Sequence, residues 1–218
     1  MGPLSWYQRM APVYDAATLG DRFYRRARAD AVDALHVAPG SHVFDIFCGT
    51  GVNLPLLATR VGSQGRISAV DGSDAMLSRA RQRAKRLALS GSLDFKRLDL
   101  DTVEGVDALA GEVEAAHPAH LLFTLGLSCL ANWQSLLERL MAAAPPGARV
   151  VILDGHNPEL TRDARLTNWI GATDVRRPVW QPLAEKGTDF ACATYRLIPG
   201  VRTRVLVASA TRPADLPE

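Results

Sequence analysis

Five short apolar runs, separated by stretches of helical spacing, restrict the fold of this chain more than any other feature. Val43–Phe47, Ile67–Val70, Leu93–Leu98, Leu121–Leu125 and Val150–Leu153 are of strand length, and most are close to continuously apolar. That pattern belongs to parallel strands covered on both faces, where a half-exposed strand would alternate. The intervening segments repeat apolar residues at helical intervals. Met76, Ala80, Ala84 and Leu87 form one stripe, with Ser73 placed to cap it. Trp133, Leu136, Leu137, Leu140 and Met141 form a second after Asn132, and Pro145-Pro146-Gly147 stops it. Upstream, Asp21–Leu35 reads as a helix with Phe23, Ala27, Ala31 and Leu35 on one face and Arg25, Arg26 and Arg28 elsewhere. Strand–helix alternation of this kind predicts a parallel sheet with helices on both sides. After Asp154 the chain turns polar and Arg-rich. Two β-like runs then follow, Phe190–Leu197 and Arg204–Ala210, whose short connection requires antiparallel pairing. The expected fold is therefore α/β, a mostly parallel seven-stranded sheet ending in a C-terminal antiparallel hairpin, in one domain over residues 1–218.

Composition narrows the function classes. The 218 residues carry 25 Lys+Arg against 23 Asp+Glu, a balance that argues against a nucleic-acid binder, which concentrates basic charge on one surface. Cys48, Cys129 and Cys192 form no CxxC pair, and no His spacing suits zinc, so we expect reduced thiols, no metal and a cytoplasmic protein. No secretory leader and no apolar stretch of spanning length is expected. The sequence leaves the oligomeric state open.

The chemistry concentrates in His42-Val-Phe-Asp-Ile-Phe-Cys-Gly-Thr-Gly-Val-Asn-Leu54. A buried strand runs into Gly49-Thr50-Gly51 and a helix follows, so the backbone can turn tightly and admit a ligand without Cβ obstruction. Asp71 ends the next strand, where a carboxylate can accept both hydrogen bonds of a ribose diol. That pairing suits NAD or S-adenosyl-L-methionine. The dinucleotide fingerprint asks for a third glycine where Leu54 stands, which argues against NAD. Asp45, before the glycines, suits a ligand with a cationic amino-acid end.

Val43-Phe-Asp-Ile-Phe-Cys-Gly-Thr-Gly51 resembles the first motif of the class I S-adenosylmethionine-dependent methyltransferases, and Ala69-Val-Asp-Gly-Ser-Asp-Ala-Met-Leu77 their second. Leu98-Asp99-Leu100 is similar to the segment that meets adenine, and Phe123-Thr-Leu-Gly-Leu127 to the loop near the methionine moiety. The likeness covers about residues 40–155. It implies a Rossmann-like fold and the cofactor S-adenosyl-L-methionine. The contacts it implies are Tyr14, Asp45, Phe47, Cys48, Gly49, Thr50, Gly51, Asn53, Asp71, Gly72, Met76, Asp99, Leu100, Thr124 and Leu125. Residues 1–35 would then be an N-terminal lid and helix, 40–155 the cofactor-binding core, and 156–218 the acceptor side. One departure stands out: Phe47 occupies the place of the family's first glycine and puts bulk at the pocket floor.

The lead-in Met10-Ala-Pro-Val-Tyr-Asp15 resembles that of quinone C-methyltransferases and of phospholipid N-methyltransferases. The resemblance implies an enzyme that transfers methyl in line to a small-molecule or lipid-like acceptor, a peripheral lipid or quinone methyltransferase being one form of it. A non-catalytic S-adenosylmethionine sensor is the alternative that Phe47 keeps open. His156, just past the fifth strand, and Tyr14 are the candidate catalytic residues, His156 as general base and Tyr14 chiefly as a lid contact. Cys129 and Cys192 are expected in or near the core, and Trp169 and Trp180 in the core or lining an acceptor pocket. The basic run Arg79, Arg81, Arg83, Lys85, Arg86, Lys96 and Arg97 reads as a solvated face, with contact to an anionic membrane surface as the second reading.

Overall fold

Each apolar run becomes a strand. The structure, a computed structural model, describes Ser5, Gln8, Arg9 and residues 23–89, 91–159 and 161–215. The strands are β1 (His42–Ile46), β2 (Arg66–Asp71), β3 (Ser92–Arg97), β4 (His120–Thr124), β5 (Arg149–His156), β6 (Thr188–Arg196) and β7 (Arg204–Thr211). The described helices are α1 (Arg25–Ala34), α2 (Leu54–Val61), α3 (Asp74–Arg86), α4 (Val103–Ala116), α5 (Trp133–Ala143), α6 (Arg162–Gly171) and α7 (Gln181–Lys186). Together the strands form one seven-stranded sheet in the order β3-β2-β1-β4-β5-β7-β6. β1 to β5 are parallel, and β7 runs antiparallel to both of its neighbours. The expected fold class holds, with one refinement. The terminal hairpin is not appended outside β5; its second strand lies directly against β5 and its first strand forms the edge.

Strand pleating sends successive side chains to opposite faces, and each face is covered. Phe44, Ile46, Leu121, Phe123, Val150 and Ile152 join Val106, Leu109 and Val113 of α4 and Leu136, Leu137 and Leu140 of α5 in one cluster. Val43, Ile67, Leu122, Val151 and Leu153 meet α1, α2 and α3 in the other. Ser73 caps α3 as expected, its hydroxyl accepting the Met76 N–H at 3.3 Å, an arrangement that contributes about 1 kcal/mol. Asn132 does not cap α5. Its side-chain amide donates instead to the Leu100 carbonyl at 3.0 Å and ties α5 to the loop after β3.

The polar stretch after Asp154 contains α6, which the apolar periodicity did not reveal. Only Ala164 of that helix is buried, while Leu166, Trp169 and Ile170 face outward. Trp169 is 80% exposed, so it belongs neither to the core nor to a pocket wall. Trp180 packs against the α4–α5 core cluster. Cys192 is exposed and Cys129 half-buried, so of the two only Cys129 lies near the core.

Candidate active site

The chain leaves β1 toward β2 and β3, then resumes on the other side of β1 with β4 and β5. At such a reversal the loops after adjacent strands diverge and open a crevice at their carboxyl ends. Three loops meet there: Phe47–Asn53 after β1, Gly72–Ser73 after β2, and Leu125–Leu130 after β4.

The glycine loop is held from several directions. Its Gly49 N–H donates to Asp71 Oδ2 at 2.9 Å, while Asp71 Oδ1 accepts the Ser73 N–H at 2.9 Å. Arg83, from the basic run read as a solvated face, donates through Nε to the Thr50 carbonyl at 2.9 Å. Others of that run are paired: Lys96 with Asp94 and Glu112, and Arg97 with Asp74. Gly51 combines a φ of +77° with close packing, since a Cβ there would lie 2.7 Å from Leu54 Cδ1 and 3.0 Å from Ala80 Cβ. Phe47 takes up a φ of +60°, a left-handed backbone conformation that bulky residues rarely adopt. Its ring packs so closely on Gly126 that a Cβ there would lie 2.1 Å from the ring. The bulk that replaces a glycine in one loop is thus matched by a glycine in the facing one.

A buried polar network stands behind the loop. Asn53 donates through Nδ2 to Asp45 Oδ1 and to Thr124 Oγ1, both at 2.9 Å, and its Oδ1 accepts from Arg28 Nη1 at 3.0 Å. Asp45 is fully buried. Burial raises its carboxyl from 3.8 to about 7, against the lowering effects of Asn53 and Arg28. Its Oδ2 has no partner among the described residues. Burial also raises Asp71, and pushes the Cys48 thiol up, which leaves that thiol a packing group rather than a nucleophile.

Of the residues singled out from sequence, Phe47, Cys48, Gly49, Thr50, Asp71, Gly72, Met76, Asp99, Leu100, Thr124 and Leu125 line one cavity. Asp45 and Asn53 connect to it through Thr124 and Arg28. Tyr14 and most of the lead-in lie outside the described residues. His156 is not brought to this cavity. It lines a separate one with Asn157, Thr194, Arg196 and Arg204, where burial and then Arg204 lower its pKa.

Sequence reasoning missed Arg28, which is only 8% exposed and lines the cavity at the glycine loop. The signal was present: with Ala31, Val32 and Leu35, position 28 falls within the apolar stripe of α1, where a lone arginine calls for a partner. A further cavity shares Leu125 and Cys129 with the first and is lined by Ser128, Asp154, Thr167, Gly171, Thr173, Val175 and Val205 among others. Among the described residues, Arg28 lines the first cavity together with Asp71, Asp99 and Asp101. Such a set fits a ligand with an amino-acid end and a sugar diol, and the orphaned Asp45 oxygen behind it favours positive charge nearby.

Residues 38–160 match the family of methyltransferase domains. The chain belongs to that family. This methyltransferase-domain protein is 33% identical over 156 residues to a 2-phytyl-1,4-naphtoquinone methyltransferase of Synechococcus elongatus, across 70% of this chain and 63% of that one. It is 26% identical over 156 residues to a demethylmenaquinone methyltransferase of Bacillus cereus, covering 71% of this chain and 62% of the relative. The chain therefore spans less than two thirds of the length of these relatives. The geranyl diphosphate C-methyltransferase of Streptomyces coelicolor, solved with S-adenosyl-L-homocysteine, shares the fold at a TM-score of 0.64 and 16% identity, over 86% of this chain and 77% of that one.

Proposed function

We propose that this protein binds S-adenosyl-L-methionine in the first cavity and transfers its methyl group to a small quinone- or hydroquinone-like acceptor in the second. The observation that carries the reading is the shared wall: Leu125 and Cys129 border both cavities, so a donor in one faces an acceptor in the other. The quinone-directed names of the relatives support the acceptor class. In this reading residues 40–155, joined by Arg28, hold the donor, and residues 156–215 furnish most of the acceptor side.

The bound donor supplies an electrophilic methyl on a sulfonium. In this reading Asp71 accepts from the ribose hydroxyls, Asp99 and Leu100 border the adenine, and Arg28 opposes the ligand carboxylate. Asp45 places negative potential behind the ammonium and sulfonium. The protein then contributes mainly proximity and alignment of nucleophile, methyl and sulfur. Calorimetry tests the donor assignment: Arg28→Met and Asp71→Ala should each weaken S-adenosyl-L-homocysteine by about 1.5–3 kcal/mol, the worth of a hydrogen bond to a charged group. Unchanged affinity in folded variants would refute it, and release of S-adenosyl-L-homocysteine during turnover separates an enzyme from a sensor.

A second reading, contact with a membrane surface, is favoured by α6 and not by the basic run after β2. Leu166, Trp169 and Ile170 are 54%, 80% and 51% exposed, with Arg162 and Arg165 exposed beside them. Thr167 and Gly171 on the same helix line the acceptor cavity. An apolar face edged with arginine suits an anionic lipid interface, and it would set the cavity near an acceptor with a lipid tail.

A further inference from the structure

The acceptor cavity contains a directed chain of hydroxyl groups. Thr173 Oγ1 donates to Ser128 Oγ at 2.6 Å, and Ser128 Oγ donates to Asp154 Oδ1 at 2.5 Å. Asp154 ends β5 with 2% exposure, and its carboxylate also accepts the N–H groups of Ser128 at 3.1 Å and Gly155 at 2.7 Å. The geometry is set by elements distant in sequence. Leu127–Cys129 form a 3-10 turn after β4, whose Ser128 carbonyl accepts from the Asp174 N–H and from Arg177 Nη1, both at 2.9 Å. These bonds clamp the loop after α6 against the turn and hold Thr173 on Ser128. All three side chains line the cavity, and the turn that carries Ser128 also supplies Cys129, part of the wall shared with the donor cavity.

A hydroxyl that donates inward keeps its oxygen lone pairs for a donor arriving from the cavity. From this geometry we infer that Thr173, Ser128 and Asp154 form a proton relay that draws the proton from the hydroxyl of an aromatic acceptor during methyl transfer. The inference rests on the methyltransferase reading and specifies its substrate class as a hydroxylated aromatic ring. The ring hydroxyl gives its proton to Thr173 Oγ1 as Thr173 passes its own to Ser128 and Ser128 its own to Asp154. The electron pair freed on the oxygen, directly or through the conjugated ring carbon, forms the bond to the methyl carbon. The sulfur–methyl bond breaks and its pair remains on sulfur. If the ring carbon is the nucleophile, that carbon afterwards loses its hydrogen to solvent as a proton, and the oxygen recovers a proton from Asp154 back along the relay. Thr173 touches the acceptor, whereas Ser128 and Asp154 act through it as positioning groups.

The test compares 1-naphthol, whose hydroxyl is protonated near neutral pH, with 4-nitro-1-naphthol, already ionised there and with its C2 carbon free to accept a methyl. S-adenosyl-L-homocysteine release is measured for the intact protein and for Thr173→Val, Thr173→Ser and Ser128→Ala. General-base assistance accounts for 10² or more in rate. Thr173→Val should therefore lower kcat for 1-naphthol by about 100-fold with a small change in KM, a loss at least ten times that for the ionised ring, and Thr173→Ser should restore most of it. An independent binding arm uses calorimetry in the presence of S-adenosyl-L-homocysteine. The intact protein should prefer 1-naphthol to 1-methoxynaphthalene by about fivefold, one neutral hydrogen bond, and Thr173→Val should lose that preference. Equal losses for both rings, no loss for either, or failure of the intact protein to methylate either ring would each overturn the relay. Calorimetric binding of S-adenosyl-L-methionine in the same preparations shows whether the donor assignment falls with it.

Discussion

Replacing Asp45 by asparagine isolates the electrostatic strain behind the glycine loop. Burial carries the carboxyl from 3.8 to about 7. A folded-state value above the unfolded one means that the fold keeps a proton the unfolded chain releases. Stability must then fall as pH climbs from about 4 to about 7, and level off above that. The interval corresponds to about 4 kcal/mol when fully expressed. Asparagine can still accept from Asn53 Nδ2 but does not titrate. In the absence of methyl donor, wild type and Asp45→Asn should melt close together near pH 4.5. By pH 8 the variant should be the more stable by a few kcal/mol, a difference on the order of 10 °C for a chain of this size. Thermal melts followed by circular dichroism across that range measure it. Asp154 is raised by burial as well, but it is common to both proteins and cancels in the comparison, while the repulsion between Asp71 and Asp45 is already among the causes of the Asp45 shift. Adding S-adenosyl-L-methionine at pH 8 should stabilise wild type more than the variant, because its ammonium and sulfonium favour the ionised carboxyl. Melting temperatures that run parallel across the pH range would refute the argument.

Gly126→Ala should destabilise the fold by about 1–3 kcal/mol through overpacking, since its Cβ would intrude on the Phe47 ring. Adding Phe47→Gly should recover much of the loss, so urea unfolding of the four proteins in a double-mutant cycle should be clearly non-additive; simple additivity would mean the two positions do not share that space. For the membrane reading, sedimentation with vesicles rich in anionic lipid should fall at least about tenfold in a Leu166→Ser, Trp169→Ser, Ile170→Ser variant. Equal sedimentation of variant and wild type would remove α6 as the docking face.

The strands were readable because burial on both faces leaves runs such as Val150–Leu153 nearly free of polar residues. Asp71 and the glycine loop, which meet at one cavity, were readable because each follows from the end of a strand, where backbone geometry fixes the spacing. α6 escaped because its large apolar residues point outward, so the stripe carried no information about the core. Asn132 stood where a cap belongs, yet a tertiary acceptor, the Leu100 carbonyl, took its amide. Ser128 and Thr173 lie in loops with no periodicity, and only folding brings them together. His156 misled through its position one step beyond Asp154 and Gly155: strand alternation puts it on the same face as Asp154, but farther along β5 and against a different cavity.

The strand order carries a consequence for how the chain is made. β6 is synthesised before β7, yet it lies outside it and, among the described residues, pairs with no other strand. Until β7 emerges from the ribosome, β6 lacks its native partner and the edge of β5 is open, a template for pairing out of place or with another chain. The parallel half, β1 to β5, with its glycine loop is available for early folding, while the cavity that Val205 helps to line closes with the last strand. Arrest or truncation before Arg204 should therefore yield a chain that retains the glycine loop but aggregates through β5.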